Sequence, residues 1–106
     1  MTYETVNYRD VDQVSEAMHF LREPLGCDRV GVTVVECDAG WTGMEHDHGD
    51  EEHEEVYLLV DGEATVTVED DAIRMEPGDA VRIAPDATRQ IQNGDTDSMF
   101  VLAGAP

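Results

Sequence analysis

Lysine does not occur in this chain: the six basic residues are all arginine, set against 25 Asp and Glu. A formal charge of −19 on 106 residues leaves no basic face for phosphates or anionic lipid, so neither nucleic acid nor a membrane surface is an expected partner. Self-repulsion at that density strains a compact fold in dilute buffer, and it is screened in molar salt, where the Debye length falls to about 3 Å. The composition therefore reads as a salt-adapted, cytoplasmic protein. Cysteine is also scarce. Cys27 and Cys37 have neither the density of a disulfide scaffold nor the close pairing of a redox or zinc motif, which points to buried thiols in a reducing compartment. No apolar run approaches the roughly eighteen residues that cross a bilayer. The start, MTYETVNYRDV, lacks the basic flank and apolar core of a secretory leader.

A chain of 106 residues suffices for one core and one domain, with residues 1–29 as an N-terminal helical segment and 30–106 as the β-rich body. Val11, Val14, Met18, Leu21 and Leu25 recur at spacings of three and four, predicting one amphipathic helix capped by Asp10 with Gln13 and stopped by Pro24 and Gly26. His19 falls in that helix beside Phe20, where a structural role is expected. From Val30 onward the texture changes to short β-branched runs: 30–37, 56–60, 64–69, 72–75, 80–84, 88–93 and 98–103. Strands in succession with no helix between them predict an all-β, antiparallel sandwich or barrel. Asp61–Gly62, Pro77–Gly78 and Asn93–Gly94 supply turns.

What the chain has in abundance is concentrated ahead of one strand. Ten of the eleven residues from Glu45 to Glu55, EHDHGDEEHEE, are His, Asp or Glu. His46 and His48 are two apart, so an extended backbone projects both from one face, and Glu55 can bring an oxygen from the next strand. Two imidazoles and a carboxylate suit a divalent Fe, Mn, Ni, Cu or Zn ion and leave coordination positions open. His53, two before Glu55, is a further candidate ligand; a solvated position in the acidic loop is its alternative. Tyr57 and Leu59 share the face of Glu55, while Val56, Leu58 and Val60 take the other. One set lines a cavity and the other packs on a second sheet or a partner chain, so strands apolar on both faces imply an oligomer. Trp41, just before the histidine pair, reads as a pocket wall.

Gly40-WTGME-His46-D-His48 followed by Glu55-VYLLVD-Gly62 resembles the first signature of the cupin superfamily, and Pro77-GDAVRIA-Pro85-DATRQIQ-Asn93 resembles the second. The resemblance covers about half the chain. It implies a small conserved β-barrel or jelly roll, usually dimeric, whose first motif gives two His and a Glu as metal ligands and whose second gives another His. This chain departs twice. Six residues separate His48 from Glu55, where the family usually has three or four, and the position four before Asn93, where the second motif has its His, is Arg89.

A guanidinium does not deprotonate in proteins and is no ligand. Arg89, Ile91 and Asn93 share a strand face, so Arg89 is expected in the cavity. There it pairs with Glu55 in place of a metal, or binds a substrate carboxylate or phosphate. No complete catalytic set or phosphate-cradling loop appears. The expectation is a metal-dependent cupin acting on a small, anionic molecule, with Tyr57, Trp41 and Arg89 as substrate contacts. Its rival is a barrel that binds or senses a small molecule without turnover.

Overall fold

The computed structural model describes residues 2–49 and 52–106. Eight strands follow a 3₁₀ turn at Tyr8–Asp10: β1 (Met18–Phe20), β2 (Gly31–Cys37), β3 (Glu54–Asp61), β4 (Ala64–Val68), β5 (Asp71–Met75), β6 (Ala80–Ile83), β7 (Arg89–Asn93) and β8 (Ser98–Ala105), with one helical turn, α1 (Arg22–Leu25), between β1 and β2. They form a five-stranded sheet of order β1-β2-β8-β3-β6 and a three-stranded sheet of order β5-β4-β7. All the pairings are antiparallel. Among the described residues, no helix is long and apolar enough to cross a membrane.

Every run expected to be a strand from residue 30 onward is one. Alternation explains why. On β3, Tyr57 and Leu59 are buried while Val56, Leu58 and Val60 face out, and on β7 Arg89, Ile91 and Asn93 point inward. The inward residues of both sheets meet in one core built on Val35, Leu59, Val66, Met75, Ile83 and Ile91, with Tyr57 edge-on to Phe100 at 6.4 Å between ring centroids.

The amphipathic helix expected over residues 10–25 does not form. Val14 and Met18 instead bond to each other across a tight turn, and Ser15 and Glu16 adopt left-handed φ of 53° and 63°. β1 then adds to the edge of β2, Met18 opposite Val35 and Phe20 opposite Thr33. An otherwise open sheet edge outweighs the modest helix preference of five spaced apolar residues. The helix that does form is the four-residue α1, which Gly26 closes at φ 67° as expected. Pro24 lies inside it, where a first-turn residue has no intrahelical N–H bond to lose. His19 is buried on β1 and hydrogen-bonds the Val11 carbonyl at 2.9 Å and Glu36 Oε1 at 3.0 Å, tying the N-terminal segment to β2.

The two ends of the β7 strand differ in kind. At its C-terminal end, the Asn93 amide donates to the carbonyls of Cys37, Asp38 and Thr96, and its oxygen accepts from Ser98 Oγ at 2.7 Å. That knot closes one end of the sandwich with neutral hydrogen bonds. Nearby, Gly62, at φ 80°, has no room for a side chain, since a Cβ would overlap the Asp97 carbonyl and Ser98. At the other end of the strand Arg89 is fully buried and carries a charge, its guanidinium set against Glu55.

Candidate metal centre

The segment after Trp41 runs antiparallel to β7 as an informal fourth strand of the smaller sheet. Asn93 N–H donates to Trp41, Gly43 N–H to Ile91, and His46 and Arg89 exchange both main-chain bonds at 3.0 and 2.8 Å. His48 N–H then donates to Pro85 at 2.8 Å. These bonds hold the two histidines over the cavity despite the acidic sequence around them. Glu55 arrives from the other side, on β3 of the larger sheet.

One potential ligand atom from each of His46, His48 and Glu55 lies within 4.8 Å of the others, and all three residues are half-buried. Donor atoms around a single transition ion sit about 3–4 Å apart, so the group is of the right size. His46 Nδ1 is 3.0 Å from the Met44 carbonyl. A carbonyl only accepts, so Nδ1 holds the proton and Nε2 of the neutral ring keeps its lone pair. His48 Nε2 approaches Glu55 Oε1 at 3.1 Å, and the two imidazoles sit edge-on, 5.1 Å between centroids. The donor chemistry fits a divalent ion. Among the described residues His53 is half-buried and is not one of this group.

Arg89 is where the second motif predicts it, and it is fully buried. Its Nη1 lies 3.4 Å from Glu55 Oε1 and its Nη2 donates to the Ala84 carbonyl at 2.7 Å. The guanidinium thus stands behind Glu55 and orients the carboxylate. β8 contributes Gly104, directly opposite Glu55 in the ladder. A Cβ there would come within 2.9 Å of Glu55 Cγ, so the missing side chain is what lets Glu55 lie where it does. Nothing in the sequence near Gly104 signals this; only the β3–β8 register shows it.

The group opens into a cavity of about 630 Å³, walled by Met18, Phe20, Trp41, Met44, Tyr57 and Leu102 beside it. Burial, and then the nearby Glu55 charge, raise the Tyr57 pKa well above the usual phenol range, while Arg89 pulls the other way. The phenol therefore keeps its proton at neutral pH.

Residues 33–104 match the cupin domain family. The chain belongs to the cupins. Solved structures agree with that placement. A cupin protein from Bacteroides fragilis is 28% identical, with a TM-score of 0.76 over 95% of this chain and 86% of that one. A sugar phosphate isomerase of the cupin superfamily from Silicibacter pomeroyi is 19% identical, with a TM-score of 0.77 over 96% and 75%. The DMSP lyase DddQ from Ruegeria pomeroyi is 21% identical, with a TM-score of 0.75 over 99% and 56%. The last two show likeness of fold. Comparison with curated proteins found no match. As a cupin, this chain keeps the first-motif His, His and Glu together in space and replaces the second-motif His by a buried cation that contacts the Glu.

Proposed function

We propose that this cupin binds one divalent transition ion through His46, His48 and Glu55 and uses it to hold, and turn over, a small molecule in the adjoining cavity. The observation that carries this reading is the convergence of three donors, two from the segment bonded to β7 and one from β3, in the lining of a cavity of about 630 Å³. A bound ion supplies Lewis acidity or a redox centre. The chain's own residues supply the rest. Met44 fixes the His46 tautomer, Arg89 and Gly104 position Glu55, and Tyr57 offers a phenolic proton. Structural neighbours that include an isomerase and a lyase support a small-molecule role. Arg89 acts through Glu55 in this reading and does not touch the substrate.

The 3.4 Å approach of Arg89 to Glu55 favours a second reading, in which that ion pair replaces the metal and the barrel binds without catalysis. Elemental analysis of protein purified without an affinity tag separates the two. About one equivalent of Fe, Mn, Ni, Cu or Zn, lost from His46→Ala and His48→Ala, supports the first; metal-free protein that rebinds none of these ions supports the second.

We further propose a homodimer in which the outer face of β3 is covered. Val56, Leu58 and Val60 are 39%, 36% and 46% exposed there, side by side on one strand.

A further inference from the structure

One wall of the cavity carries an indole whose position is fixed from two sides. Trp41 is held at two points by contacts unrelated to metal binding. Its indole N–H donates to the Ser15 carbonyl at 3.2 Å, and its six-membered ring lies against Gly43, where an added Cβ would come 2.9 Å from Cη2 and 3.3 Å from Cζ3. Ser15 is itself fixed by the left-handed turn at 15–16, a backbone conformation that non-glycine residues adopt only when their surroundings hold them there. A ring locked this way has little rotameric freedom left to lose when a ligand stacks on it. Phe20, Met18, Met44 and Leu102 surround the same space.

Charge points the same way. Among the described residues lining the cavity none is arginine, the chain contains no lysine, and the guanidinium nearest the site is fully buried outside that lining, with Nη1 on Glu55, Nη2 on the Ala84 carbonyl and Nε alone without a partner. A phosphate or a second carboxylate held away from the ion would meet no counter-charge, inside a protein of formal charge −19. The carboxylate and imidazoles of the lining are therefore confined to one edge, the His46–His48–Glu55 group, and the rest of the wall is mainly apolar, with Thr33, Thr42 and Tyr57 as its neutral polar side chains beside Ser15.

We propose that the ligand is a planar, largely apolar molecule bearing one oxygen-donor edge, such as a phenol, an enol or a hydroxylated aromatic ring, which stacks on Trp41 and turns its oxygens toward the metal group. The head-group half of this rests on the metal reading above; the stacking half does not. It narrows the class away from phosphorylated and polycarboxylate molecules.

The test is equilibrium dialysis of 2,3-dihydroxynaphthalene, glucose 6-phosphate and galacturonate against metal-loaded and metal-stripped protein in molar KCl, with Gly43→Ala and Trp41→Leu alongside. Gly43→Ala displaces the indole and Trp41→Leu keeps apolar bulk while removing the flat face. The naphthalenediol should bind in preference to both anions, and each substitution should weaken it about five- to tenfold, the size of a lost aromatic stack. Metal affinity should not change in either variant. Tighter binding of glucose 6-phosphate or galacturonate than of the diol overturns the proposal, as does diol binding unaffected by both substitutions. A protein that takes up no metal, yet holds the diol and loses it in Trp41→Leu, removes the metal reading and leaves the stacking site standing.

Discussion

His46 and Arg89 face each other across a pair of main-chain hydrogen bonds, 3.0 and 2.8 Å long, so the first histidine of the metal group and the residue that stands in for the missing one are fixed cross-strand neighbours. Directly opposed residues on antiparallel strands project to the same side. A histidine at 89 would therefore stand beside the other donors without any rearrangement of the backbone.

Arg89→His should tighten metal binding. It removes a buried positive charge worth about 1 kcal/mol or more against a nearby ion and adds a donor. His46→Ala and His48→Ala should abolish binding, and His53→Ala should weaken it at most moderately; calorimetric titration with Zn or Ni reads all four. Unchanged affinity in Arg89→His, together with a metal-free fold destabilised by Glu55→Gln, would replace the metal site with the Glu55–Arg89 pair.

Gly104→Ala should act on the metal without touching it. The new methyl meets Glu55 Cγ at 2.9 Å and must push the carboxylate off its partners, lowering affinity by about tenfold, as loss of a ligand-orienting contact does. Melting temperature of the metal-free protein should move little. Wild-type affinity in this variant would show that Glu55 finds its place unaided.

The exposed valines and leucine of β3 predict the quaternary state. Light scattering in molar salt should give about twice the 11.7 kDa chain mass, and Leu58→Glu should shift it to monomer by placing a charge in the covered apolar face. A wild-type monomer at micromolar concentration contradicts the interface.

Salt dependence follows from the charge of −19. Raising KCl from low to molar concentration should raise the melting temperature steeply as repulsion is screened. A flat curve would leave the absence of lysine without the explanation offered for it.

Alkaline pH should destabilise the fold through Cys37. Burial pushes its thiol from the ordinary 9.0 up to about 11, the Ser98 hydrogen bond pulling it partly back and Asp38 adding to the rise. Because the folded value is the higher one, the contribution is whole below pH 9 and is lost as pH climbs toward 11. Thermal melts across that window should fall, and Cys37→Ala should flatten the slope; an equal slope in the variant would assign it elsewhere.

Much of this arrangement was legible from residue order. The two-residue period placed Glu55, Tyr57 and Leu59 on one side of β3 and Val56, Leu58 and Val60 on the other, because a strand facing a core has no other way to bury its large residues. The spacing of His46, His48 and Glu55 brought those three together, and Arg89 fell where the second motif put it. The N-terminal stripe misled, since residues at three and four apart fit a helix but equally serve a hairpin and an edge strand, and the choice was made by β2, a distant partner. The restraints on Trp41 and Glu55 were illegible for a related reason. Each depends on an absent side chain, at Gly43 and at Gly104, and a glycine's lack of bulk has meaning only beside the neighbour that fills the space.

The three donors come from both layers: the histidines from the segment bonded to β7, the glutamate from β3. With the proposed ion bound, occupation of the site and closure of the sandwich at that end would be one equilibrium seen from two sides, and a chelator would act as a local denaturant. The knot at Asn93 owes nothing to any ion. Stripping the metal should speed amide exchange along residues 41–48 and at the start of β3 while leaving the Asn93 end protected, so the molecule would loosen from its mouth inward.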